Sequence, residues 1–129
     1  MTGIIMNNLA LEKLINEANL LLVRAEDELE KPQKEMVPFA ACQTAKLSIL
    51  KLLQAYLAKN KMEVDTSDSL VHLYNKCKKY NSAFININIQ KMGCVSGTHC
   101  SMEEYCMEPQ YVTECVGWAK DIRTLLYQP

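Results

Sequence analysis

The chain has 129 residues, of which 49% are hydrophobic, and a formal net charge of −1 at pH 7. This length is typical of one domain with a single core. The near-zero charge excludes a general attraction to nucleic acid, so any RNA contact would need a local basic patch. No apolar run reaches the roughly 20 residues that span a bilayer, and the start lacks the basic region of a secretory signal. We therefore expect a cytoplasmic protein whose six cysteines are mostly reduced.

The first predicted helix covers residues 8–31, after a leader at 1–7 that we expect to be flexible. Residues 8–129 are predicted to form one domain. Asn7 or Asn8 can cap the helix by accepting a hydrogen bond from a free backbone N–H, and Pro32 ends it. Its apolar residues recur every three or four positions, at Leu11, Ile15, Ala18, Leu22, Ala25 and Leu29.

The second predicted helix, from Pro38 to about Asn60, is the element around which we expect the domain to be organised. One wide side of the helix is apolar, at Phe39, Cys42, Ala45, Ile49, Leu50, Leu52, Leu53, Tyr56 and Leu57. Such an arc is too wide for one neighbouring helix. The opposite, outward side is predicted to carry Ser48 and Ala55, and Leu47 also falls outside the arc.

Two further helices are predicted, at about 67–80 and 109–127. Oxygen atoms of residues 65–68 can cap the former. Between the two helices, Ile and Asn alternate in the segment 81–92, which is a strand period, but no other strand is predicted to pair with it. We therefore predict a helix or irregular structure there, followed by a loop at 93–97 and a short turn at 101–104. The fold class is all-α, an up-down helical bundle of four to five helices.

Two short motifs resemble a known family. Gln43 precedes the Leu-Lys-Leu-Leu block at 50–53, and a polar connection leads to Ser-Leu-Val-His-Leu-Tyr at 69–74. In these features residues 36–75 resemble the HEPN domain, a small helical family found beside minimal nucleotidyltransferases and in RNA-targeting systems, including toxin–antitoxin pairs. The resemblance implies a HEPN-like bundle that forms a homodimer and helps to position a nucleotide or substrate for a nucleotidyltransferase.

The family's ribonuclease motif is missing from this chain. Active members carry an Arg followed a few residues later by a His, whereas the only candidates here are Arg24, Arg123, His72 and His99, which form no such pair. We therefore predict a non-catalytic binding or dimerisation module without ribonuclease activity. Two alternatives stay open. One is a divergent metal-independent ribonuclease that uses residues around His99 to Tyr105, and the other is a purely structural helical adaptor.

Three residues are candidates for binding a ligand or partner: Lys46, His99 and Tyr105. Lys46 lies in the apolar arc of the second helix, where it either extends past the core edge or faces an anionic ligand or partner. Side chains that can bind zinc through sulfur or imidazole cluster between residues 94 and 106, at Cys94, His99, Cys100 and Cys106. Their spacing lacks the paired C-x-x-C motif that is usual in zinc sites. We therefore predict no metal and no cofactor.

Three lysines near the end of the third helix, Lys76, Lys78 and Lys79, are a second basic feature. Cations suit a helix carboxyl terminus, so a solvated face is one interpretation, and a phosphate contact with a nucleotide or RNA is the other. The wide apolar arc and exposed Leu47 leave more apolar surface than one bundle should cover, which predicts a homodimer.

Overall fold

The computed structural model describes residues 5–32, 34, 38–87 and 109–127. In that part of the chain the protein is all-α and forms a helical bundle, as predicted from the sequence. No helix in those residues is long and apolar enough to cross a membrane. The helices are α1 (Asn8–Glu30), α2 (Pro38–Lys59), α3 (Leu70–Tyr80), a short 3-10 helix (Ser82–Asn86) and α4 (Pro109–Tyr127).

The start of α1 is fixed by a side-chain cap. Oδ1 of Asn7 accepts a hydrogen bond from the backbone N–H of Ala10 at 2.8 Å, which satisfies one of the N–H groups that a helix start leaves without a partner. The predicted stripe of α1 faces the core and is supplemented by Leu14, with Ala18, Leu22 and Ala25 fully buried. The cap and the inward face of α1 are therefore confirmed.

The central position of α2 is also confirmed, because α2 packs against α1, α3 and α4. The predicted outward side of α2 is wrong at two positions, because Ser48 and Ala55 are fully buried. The hydroxyl of Ser48 donates a hydrogen bond to the carbonyl of Ala18 at 2.8 Å, which lets this small polar residue lie in the α1–α2 contact. Leu47 remains exposed, as predicted.

The carboxyl terminus of α2 is closed by a Schellman motif. The N–H of Met62 bonds to the carbonyl of Leu57 at 3.0 Å, and the N–H of Lys61 bonds to the carbonyl of Ala58 at 3.1 Å. Lys61 has a φ of 62°, the left-handed conformation that this motif requires and that glycine usually supplies. The chain therefore leaves α2 in a fixed direction at some cost in backbone strain.

Helix α3 begins at Leu70, three residues later than predicted. The predicted capping residue Asp65 instead builds a turn, because its Oδ1 accepts from the N–H of Ser67 at 2.9 Å and from the Ser67 hydroxyl at 2.6 Å. The cap itself is Ser69, whose hydroxyl accepts from the N–H of His72 at 3.1 Å. The observed start of α3 therefore lies within the segment 69–74, one of the two motifs that resemble the HEPN family.

The segment after α3 forms a 3-10 helix at its beginning, Ser82–Asn86, in agreement with a helix or irregular structure rather than a strand. Phe84 anchors this turn in the core, and its carbonyl accepts a hydrogen bond from the hydroxyl of Tyr74 at 2.8 Å. The ring of Tyr56 meets that of Phe84 edge to face, with centroids 4.8 Å apart. The predictions for 88–108 lie outside the described residues.

Side-chain contacts show the relative directions of the long helices. Helix α1 runs antiparallel to α4, because Glu26 contacts Lys120 at 2.9 Å and Asn19 contacts Tyr127 at 3.2 Å. Helix α4 runs in the same direction as α2, with the Cys115 thiol at the Cys42 thiol near their amino ends and Lys59 Nζ donating to the Leu126 carbonyl near their carboxyl ends. These directions match an up-down bundle.

Candidate functional site

Of the three candidate residues predicted from the sequence, one lies in the part of the chain that the structure describes. Lys46 lies on α2 and is half-buried. His99 and Tyr105 lie outside the described residues, as do Cys94, Cys100 and Cys106. Within the part of the chain that the structure covers, His, Cys, Asp and Glu form no group that could hold a metal. The absence of ribonuclease activity and of a bound metal therefore stay predictions.

Lys46 lies one helical turn beyond a buried thiol. Its ammonium group contributes to lowering the pKa of Cys42, although the larger cause is a hydrogen bond with the Cys115 side chain, and burial opposes both effects. Cys42 of α2 and Cys115 of α4 are both buried. Cys42 and Lys46 are four residues apart on one helix, so the sequence spacing already makes them neighbours.

The thiols of Cys42 and Cys115 are hydrogen-bonded to each other. The hydrogen bond lowers the pKa of Cys42 and, together with burial, raises that of Cys115. Helical periodicity places each of them on an apolar stripe but cannot show that the stripes meet at these two positions. Cys77 differs, because its thiol bonds to the carbonyl of Leu53 at 3.7 Å and burial raises its pKa to about 12.

The second notable feature is the solvent-facing side of α1. We call it the α1 outer face and define it by Leu9, Asn16, Leu20 and Val23. Its leucines and valine are 76%, 52% and 49% exposed, in chain order. A shallow depression on this side of the helix is lined by both leucines and by polar residues between them, at Glu12, Lys13, Asn16 and Glu17. Three large apolar side chains on one face of α1 therefore form a stripe that is exposed to solvent in the isolated chain.

Leu47 of α2 is a further exposed apolar side chain, at 48%. Lys51 of α2 lies 3.5 Å from Glu17 of α1. Because α1 and α2 are antiparallel, the turn of α2 before Lys51 runs beside the turn of α1 after Glu17. That places Leu47 at about the level of Leu20 along the bundle axis.

The lysines of α3 are partly occupied by contacts within the chain. Lys76 Nζ lies 2.6 Å from a carboxylate oxygen of Asp68, and His72 Nδ1 lies 3.8 Å from the other oxygen. Lys78 lies over the ring of Tyr74, 5.4 Å from its centroid. An open groove on this side of α3 is lined by His72 and the three lysines, Lys76, Lys78 and Lys79. The contacts favour a solvated face over a built phosphate site.

Comparison with protein-family models, with curated proteins and with solved structures found no match for this chain.

Proposed function

We propose that this chain is a non-catalytic helical binding module that acts as a homodimer through the α1 outer face. The observation that supports the proposal is the exposed stripe of Leu9, Leu20 and Val23 on α1, with Leu47 exposed on the adjoining helix α2. Large exposed apolar patches usually mark a binding surface. A cytoplasmic setting, where the buried thiols stay reduced, belongs to the same proposal.

The symmetry of the stripe favours a second copy as the occupant. Leu9 and Val23 lie seven residues before and after Asn16, which is two helical turns in each direction. An antiparallel α1–α1 contact centred on Asn16 therefore places Leu9 against Val23 of the second copy, and the reverse. The two Asn16 amides meet at the twofold axis, where each can donate to and accept from the other. The Asn16 and Leu9–Val23 pairs are thus self-complementary, as a twofold interface requires, whereas Leu20 lies opposite Glu12 of the second copy.

The charges beside the stripe fit the same arrangement. In this register Lys13 of one copy lies within one turn of Glu17 of the other, so opposite charges meet on both sides of the axis. Glu17 is also neutralised within its own chain by Lys51 at 3.5 Å, which limits repulsion between the two Glu17 carboxylates. A single polar residue such as Asn within an apolar helix contact specifies the register of helical dimers.

Light scattering coupled to size exclusion tests the proposal. The wild-type protein at micromolar concentration is expected to give twice the 14.7 kDa chain mass. Leu20→Glu places a charge in the stripe and is expected to give the monomer mass. Ile85→Glu is the matched control, because Ile85 is a similarly exposed apolar residue on the 3-10 helix, away from α1.

A wild-type mass of 14.7 kDa that does not rise with concentration would contradict the homodimer. A heterologous protein would then be the better occupant of the α1 outer face. The resemblance of residues 36–75 to HEPN domains makes a minimal nucleotidyltransferase the first such partner to test. Co-purification that Leu20→Glu abolishes and Ile85→Glu preserves would support that partner.

A further inference from the structure

We propose that the outward side of α3 is a docking surface for an acidic helical segment of a partner protein. We call this surface the α3 basic groove and define it by the residues that line it: Val71, His72, Asn75, Lys76, Lys78 and Lys79. The groove lies on a different helix from the α1 outer face, so the proposal does not rest on the homodimer.

Positive charge is concentrated along this groove, which has a volume of about 560 Å³. Helix α3 contains three lysines and no Asp or Glu, whereas the whole chain has 14 basic and 15 acidic residues. Asp68, which precedes the helix, balances Lys76 at 2.6 Å. Among the described residues, no carboxylate forms an ion pair with Lys78 or Lys79. The groove therefore has a net positive charge that an anionic partner can neutralise.

Two of the three lysines are held in place before any partner binds. Lys76 donates one hydrogen bond to Asp68, and the ammonium group of Lys78 lies 5.4 Å from the centre of the Tyr74 ring. Each ammonium group has three N–H donors, so both can still donate to a carboxylate of the partner. Ordering a long side chain in advance reduces the entropy that binding costs.

The groove lacks the features that favour nucleic acid. None of its lining residues is Phe, Tyr or Trp, on which a base could stack, and none is Arg, which binds phosphate through two parallel hydrogen bonds. Backbone N–H groups inside a helix are already bonded within it, so they cannot hold a phosphate as a helix amino terminus does. Separate lysine charges along a helix instead suit separate carboxylates.

The spacing of the charges fits a helical partner. Lys76 and Lys79 are three residues apart, so they lie one turn apart on the same side of α3. Acidic residues three or four positions apart on a partner helix recur at the same distance. Half-buried Val71, one turn before Asn75, offers an apolar contact to an aliphatic side chain of the partner. The 11 residues of α3 accommodate about three turns of such a helix.

Fluorescence anisotropy on the full chain tests the docking surface. The probe is a fluorescein-labelled helical peptide in which glutamates recur every three or four residues among alanines, and its control has glutamine at each glutamate. We expect the glutamate peptide to bind, with an affinity that falls as salt rises, and the glutamine peptide not to bind. Lys79→Glu should weaken binding by about tenfold, because it replaces an attraction with a repulsion. Lys34→Glu, at an exposed lysine between α1 and α2, is the matched control and should change the affinity by less than about twofold.

Four results would overturn the proposal: no binding of the glutamate peptide, equal binding of the glutamine peptide, equal losses in Lys79→Glu and Lys34→Glu, or tighter binding of RNA. The RNA probe is a labelled oligouridylate of about ten nucleotides. Far-ultraviolet circular dichroism of both variants confirms that they are folded, which is expected because both lysines are exposed. Light scattering of the same samples reports the homodimer separately, so the failure of either proposal is distinguished from that of the other.

Discussion

Replacing Ser48 with leucine tests directly which face of α2 is buried in the bundle. Helical periodicity places Ser48 on the outward side, where leucine would be harmless and a slightly better helix former. The structure places Ser48 in the α1–α2 contact with 0% exposure, its hydroxyl bonded to the Ala18 carbonyl at 2.8 Å. The two orientations therefore predict different stabilities for the same variant.

The expected loss follows from two contributions. Forcing a larger side chain into a packed contact costs about 1–3 kcal/mol, and losing one hydrogen bond costs about 0.5–1.5 kcal/mol. Ala18 is also fully buried, so the contact has no open side to relieve the strain. Ser48→Leu should thus lower the free energy of unfolding by about 2–4 kcal/mol. Ser48→Ala removes only the hydrogen bond and should cost about 0.5–1.5 kcal/mol, because the Ala18 carbonyl keeps its helical partner.

Urea unfolding followed by far-ultraviolet circular dichroism measures both variants. With a typical urea dependence, Ser48→Leu should move the midpoint by about 1–2 M. An exposed residue away from the α1 outer face supplies the control, since Ile85→Ala should change stability by no more than about 0.5 kcal/mol. If Ser48→Leu unfolds at the wild-type midpoint, Ser48 does not lie in the α1–α2 contact and the orientation of α2 is wrong.

The other predictions concern the core, a helix end and a turn. Leu53→Ala removes a fully buried side chain and should lower the free energy of unfolding by about 2–5 kcal/mol. Lys13 is exposed, so Lys13→Ala should lower it by less than about 0.5 kcal/mol. Equal urea midpoints for the two variants would contradict this core. Lys61→Gly relieves a left-handed backbone and should raise stability by up to about 1 kcal/mol, so a lower melting temperature would argue against the Schellman end. The Ser67 hydroxyl, and then its N–H, hold the pKa of Asp65 below its ordinary value. Its stabilising effect is therefore present above the unfolded-state pKa and lost as pH falls through the folded one, and a carboxyl titration by NMR that shows an ordinary pKa would refute the turn.

The helices and their inward faces could be predicted because local signals and burial agree there. In α1 the Asn7 cap and the apolar stripe point to the same start and the same buried side. In α4 both the start at Pro109 and the buried positions Cys115 and Ile122 follow from the local pattern. Such agreement between capping chemistry and periodicity makes an element predictable without tertiary information.

Prediction failed where tertiary contacts decide the outcome. Ser48 is polar, and only the close approach of Ala18 provides the acceptor that makes its burial favourable. At the start of α3, both Asp65 and Ser69 are good caps, and the sequence could not show that Asp65 is used in a turn. The pairing of Cys42 with Cys115 depends on the packing of α2 against α4, which no local pattern encodes.

Cross-linking at Asn16 is the most direct test of the proposed dimer and of its register. Two cysteines can bridge only when their Cα atoms lie within about 7 Å, a distance that the twofold axis of the proposed contact allows at position 16. Mild oxidation of Asn16→Cys is therefore expected to give a covalent dimer on a non-reducing gel. Ser82→Cys, an exposed position on the 3-10 helix, and the wild-type chain should remain monomeric on that gel. Equal cross-linking of Asn16→Cys and Ser82→Cys, or none in either, would contradict pairing through the α1 outer face.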